Sequence, residues 1–83
     1  MKKRKLVEVI DVGYQYTTYT EWIEKYFKRY LKHFKEGAEC DVNAVYEIID
    51  KAPHAWQFSI LYLIQDPNTK QVYIMGEYGI VEV

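Results

Sequence analysis

The sequence predicts an α+β fold: one long amphipathic helix packed on a small antiparallel sheet of three to five strands. Three features point there. The stretch "EWIEKYFKRYLKHF", Glu21 to Phe34, repeats its apolar residues at helical spacing between helix start and stop signals. The last third holds segments that alternate with period two around a turn-forming "DPNTK". The 83 residues are 49% apolar and 17% aromatic, which can build a thin but adequate core, so the length reads as a single domain over residues 1–83.

The N-terminal residues Met1 to Arg4 form a basic tail, expected to fray. From Lys5 the β-branched run reads as a strand. Ile10, Val12, Tyr14 and Tyr16 share one parity, which is taken as the buried face, and Gly13 suggests a bend. Thr18 and Glu21 have capping-box spacing, with Thr20 as an alternative cap. Gly37 stands where a left-handed residue would end the helix, and Lys32, His33 and Lys35 suit its C-terminal dipole. Glu21–Lys25 and Glu24–Lys28 are i,i+4 pairs in the favourable order.

Residues 38–43 read as a connection. "AVYEIID" fits either helix or strand; its β-branched content and shortness lean to strand, and Pro53 is expected to stop it. "QFSILYLIQ" and "QVYIM" form a hairpin through "DPNTK", in which Asp66 can bond the backbone two residues on and Asn68 tolerates a positive φ. Gly76 to Gly79 make a second tight turn into a short strand, "IVEV". The last four segments could also curl into a small SH3-like barrel, a pattern that implies no function.

The helix alternates aromatic and basic residues, and a helical wheel separates them. Ile23, Phe27, Tyr30 and Phe34 fall on the side that docks on the sheet, and Lys25, Lys28, Arg29, Lys32 and Lys35 on the solvent side. One margin mixes the two: Trp22, Tyr26, Arg29 and His33 follow i, i+4, i+7 and i+11. Aromatic and Arg residues at such a margin have the chemistry of interface anchors, although amphipathic side chains also line ordinary core margins. Trp56, beside the rigid "KAPH", is a further candidate anchor.

Charge is asymmetric. Residues 1–35 carry a balance of +5 and residues 36–83 a balance of −6, a dipolar distribution that steers partners. Cys40 is the single cysteine, so no internal disulfide forms. Its neighbours Glu39 and Asp41 oppose thiolate formation, which argues against a nucleophile. His33, Cys40 and His54 lack the spacing of a metal site, and the four glycines lie in no phosphate-loop pattern. Acidic residues interrupt the apolar run after the basic start, which argues against a signal peptide, and "ILYLI" is too short to span a bilayer.

These readings converge on a cytoplasmic, non-enzymatic protein-binding module without cofactor or metal, of the kind that regulates or inhibits a larger partner. The partner-binding candidates are Trp22, Tyr26, Arg29, His33 and Trp56, and homodimerisation is a variant of the same reading. The alternative is nucleic-acid binding through Lys25, Lys28, Arg29, Lys32 and the "KKRK" tail. The acidic second half and the interleaved Glu21, Glu24 and Glu36 weigh against it. No membrane contact is expected.

Overall fold

The computed structural model describes residues 5–16, 20–56 and 59–83, and only the backbone of residues 20, 21, 53–56 and 59. The strands are β1 Leu6–Val9, β2 Val45–Trp56, β3 Ser59–Gln65, β4 Val72–Gly76 and β5 Ile80–Glu82. They form one antiparallel sheet in the order β4-β3-β2-β1-β5. The edge strands β4 and β5 are joined by only the 3-10 helix Glu77–Gly79. Three residues in that conformation rise about 6 Å, whereas the edges of a flat five-stranded sheet lie about 19 Å apart. The sheet therefore curls until its edges approach.

The curl makes an inner and an outer face, each with its own core. Val7, Val9, Tyr46, Ile64, Tyr73, Met75 and Ile80 meet inside, with Cys40 from the connection packed against them. Outside, over β3 and β4, Ile23 and Phe27 bury against Leu61, Leu63, Val72 and Ile74. β2 serves both parts of the sheet. It pairs with β1 through Val45–Glu47 and with β3 through Glu47–Trp56, and its register shifts between Ile48 and Asp50. Ile48 faces inward and Ile49 packs on the outer core by ordinary alternation; the bulge sets Ile49 and Asp50 together against Leu63, which bends the strand into the curl.

The single long helix does not form. α1 is Thr20–Tyr26, and the chain continues as a 3-10 helix over Lys28–His33. Phe27, at φ −134° and ψ 40°, is the break. The α-type bond from Phe27 N to Ile23 O, at 3.0 Å, gives way to Tyr30 N to Phe27 O at 2.9 Å. Two causes act together. Tyr26, Phe27, Tyr30 and Phe34 are weak helix formers. Six residues in 3-10 form also reach about 3 Å further than in an α-helix, and the segment ends with Phe34 bridged to Val72 on β4. Reaching the sheet outweighs completing the helix.

Three further expectations change. The first strand stops at Val9, and its buried residues are Val7 and Val9, while Ile10, Val12 and Tyr14 are exposed. Asp11 ends the extended run by accepting the Gly13 N–H at 2.8 Å, which starts the 3-10 helix Val12–Tyr14. β2 runs through Pro53 to Trp56, because the register shift between Ala52 and Trp56 leaves no ladder position that needs the missing N–H. The curl is not confined to the C-terminal half, since β1 lies between β2 and β5. The Thr18–Glu21 capping box lies outside the described residues.

Other expectations hold. Residues 45–50 are strand. Asp66 Oδ1 accepts the Asn68 N–H at 2.8 Å, although the left-handed residue of that turn is Lys70, at φ 67°. Gly37 is left-handed, at φ 81°, but it serves a turn after the 3-10 helix. The radius of gyration is 11.5 Å, close to the roughly 12 Å of a compact chain of this length.

Candidate functional site

Two surfaces combine exposure with chemistry, and they lie on opposite faces of β2, β1 and β5. Among the described residues, the helical segments cover the outer face over β3, β4 and the part of β2 that carries Ile49 and Ala52. Across the rest, the register sets Leu6 opposite Glu47, and Glu8 opposite both Val45 and Val81. Val83 continues the row, with its N–H bonded to the Leu6 carbonyl at 3.1 Å. The aliphatic members are Leu6 at 45% exposure, Val45 at 46%, Val81 at 43% and Val83 at 63%, with Ile10 at 47% just beyond the end of β1. Glu8 and Glu47 stand among them. The result is an aliphatic patch with carboxylates set into it.

The inner face is closed at one end by Cys40 and open at the other. The open end is a cleft of about 440 Å³ whose floor includes Val7, Ile48 and Ile80. Lys5 and Lys51 stand on the β1–β2 side, and Glu77 and Glu82 on the side of β5 and its preceding turn.

The predicted anchors do not form one continuous row. Trp22 and Tyr26 lie on α1, half-buried against the outer core, and Trp22 stacks at a tilt on Tyr16 with ring centroids 5.0 Å apart. Arg29 and His33 lie beyond the break at Phe27, where successive residues advance about 120°. That geometry puts His33 in a column with Phe27 and Tyr30 and leaves Arg29 exposed on another. The side chain of Trp56 lies outside the described residues.

Lys25, Lys28, Arg29 and Lys32 are all exposed. Two of them already engage their own aromatic neighbours: Lys25 Nζ lies 5.2 Å from the Tyr26 ring centroid, and Arg29 Cζ 5.8 Å from that of Tyr30. The "KKRK" residues before Lys5 lie outside the described residues.

Cys40 is buried, and its thiol points at Gln15 Oε1, 3.1 Å away, and at Met75 Sδ, 3.8 Å away. Burial pushes the thiol up to about 11, and the charges of Asp41 and Glu39 add to it. Both effects oppose thiolate formation. Among the described residues no group of three or more His, Cys, Asp or Glu side chains is placed to hold a metal ion. No helix among them is long and apolar enough to cross a membrane. No family model, curated protein or solved structure matches the chain.

Sequence reasoning missed the aliphatic patch because it assigned one buried parity to the first strand. A readable signal existed. "LVEV" at 6–9 and "IVEV" at 80–83 are apolar on both parities, so pairing them leaves apolar side chains on both faces. Only one of those faces is covered.

Proposed function

We propose that this chain is a non-enzymatic protein-binding module whose docking surface is the outer face of β2, β1 and β5. The observation that carries the reading is the aliphatic patch of Leu6, Ile10, Val45, Val81 and Val83, each at least 43% exposed. Apolar surface left in water forgoes about 25 cal/mol per Å² that burial would recover, and contiguous patches of this kind are where proteins meet partners. The embedded carboxylates define the partner. Glu8 is flanked by Val45 and Val81 in the cross-strand rows, so a complementary surface offers Lys or Arg side chains among aliphatic ones. A second copy of the same face would set carboxylate against carboxylate, which disfavours a symmetric dimer there. Occupying a larger protein's basic, aliphatic surface would regulate or inhibit it, in a cytoplasmic setting that suits a lone buried thiol.

Nucleic-acid binding ranks second, because the aromatic rings beside Lys25 and Arg29 already carry cations and are less available for stacking on bases. The test is affinity capture from a nuclease-treated host lysate with the wild-type chain, Val81→Glu and Arg29→Ala, followed by reconstitution with the purified captured protein. The expected result is a protein that binds wild type and Arg29→Ala, binds Val81→Glu at least roughly tenfold more weakly, and presents a basic surface. Capture that survives Val81→Glu, that fails with Arg29→Ala, or that depends on nucleic acid overturns the reading. So does finding no protein at all.

A further inference from the structure

The cleft on the inner face is electrically divided. Lys5 and Val7 share a parity on β1, and the Lys5 carbonyl accepts the Ile48 N–H at 2.9 Å, so Lys5 lies beside β2. Lys51 follows on β2 across from Tyr62 on β3. Both ammonium groups therefore come from one side of the cleft. Glu82 pairs with Val7 from β5, and Glu77 comes from the turn before it. Both carboxylates come from the other side. Between them lies an apolar floor: Val7 is 2% exposed and Ile80 9%, with half-buried Ile48 beside them and the Tyr62 ring at one end.

We infer that this cleft binds a small zwitterion with an apolar body, of the class of a hydrophobic dipeptide. Its volume of about 440 Å³ falls in the range of small-ligand sites. The ligand carboxylate faces Lys5 and Lys51, its ammonium faces Glu77 and Glu82, and its aliphatic side chains lie on Val7, Ile48 and Ile80. The spacing of the walls selects the class. Lys51 on β2 and Glu82 on β5 stand on the two strands that flank β1, about 9–10 Å apart, so opposite charges separated by a peptide unit reach both better than those on one carbon. A ligand of single charge would leave one wall unanswered. The inference does not rest on the docking reading, which uses the opposite face of the same strands.

The probe is the zwitterionic dipeptide Leu-Leu, compared with its N-acetyl and C-amide forms, which lack the ammonium and the carboxylate respectively. Binding is followed by amide chemical shifts of the full chain during titration. The dipeptide is expected to shift Val7, Ile48, Tyr62 and Ile80 saturably, and each blocked form to bind roughly tenfold more weakly. Lys51→Gln is expected to narrow the gap between the dipeptide and its C-amide form, and Glu82→Gln the gap between the dipeptide and its N-acetyl form. Both residues are exposed, so the variants keep the fold. Absence of a saturable shift, or equal binding of all three ligands by the wild-type chain, overturns the inference. Val81→Glu, which alters the docking face, is expected to leave dipeptide binding unchanged, so the two readings fail separately.

Discussion

Gln15 ties Cys40 into the inner core. The Gln15 amide donates to the Ala38 carbonyl at 2.7 Å and accepts from the Cys40 N–H at 2.9 Å and the thiol at 3.1 Å. Gln15 itself is bridged to Met75 on β4. The thiol is thus pressed into the inner core, and burial is the main reason its proton is held up to about 11. Because the folded value is raised, the native state keeps a proton that the unfolded chain gives up. Stability from this group is complete below about pH 9 and is lost as pH rises through about 11. Tyr46 and Tyr73, also raised by burial from 10.0, add to the alkaline loss. Denaturation midpoints measured across that window should fall with pH, and Cys40→Ala should flatten the first part of the decline. A midpoint independent of pH would contradict this. The acidic neighbours Glu39 and Asp41 were readable in the sequence and act in the expected direction. The larger cause, burial, was not readable, because it depends on packing against residues distant in the sequence, such as Val7 and Met75.

The helical block shows how an element is decided by what it must reach. Its apolar set was legible: Ile23 and Phe27 are 0% and 1% exposed, and Tyr30 and Phe34 pack beside them. Its conformation was not, because helical spacing over Glu21 to Phe34 also serves a short α-helix followed by a 3-10 turn. Phe27 is both the break and the largest fully buried side chain of the block. Phe27→Ala is expected to cost about 3–5 kcal/mol in urea denaturation, whereas Leu31→Ala, at 42% exposure, should cost below about 1 kcal/mol. Similar losses at the two positions would mean that the block is not held through Phe27. Trp22 and Arg29 stand on separate helical segments, so the row drawn on an ideal wheel is divided at Phe27. The aliphatic patch depends on β1 and β5 lying side by side, a pairing between chain segments about as far apart as this sequence allows.

At the scale of the whole molecule, one sheet carries two cores. Ile74 and Met75 are neighbours on β4, both 0% exposed, yet Ile74 belongs to the outer core and Met75 to the inner. Because the strands are common to both, the two cores should melt together. Ile74→Ala and Met75→Ala are each expected to cost about 2–5 kcal/mol and to keep one unfolding transition, with tyrosine and tryptophan signals coinciding. Separate transitions for the two signals would show that the faces fold independently. The charge asymmetry of the sequence is also partly spatial: exposed lysines lie on the helical block over β3 and β4, and Glu8 and Glu47 lie on the uncovered part of the same sheet face. The sequence by itself determined the α+β class, the C-terminal hairpin and its Asp66 turn, the strand at 45–50, and which helical residues are apolar. Each of these is written in local periodicity and turn chemistry, within a few residues. The tertiary structure decided where the long helix breaks, which parity of β1 is buried, how β2 passes Pro53, and which apolar surface stays uncovered. The buried parity of β1 and the uncovered surface depend on β1 inserting between β2 and β5, the helix break on Phe34 reaching β4, and the passage of Pro53 on the β2–β3 register shift; such long-range pairings draw their free energy from burial across the sheet and leave no local pattern to read.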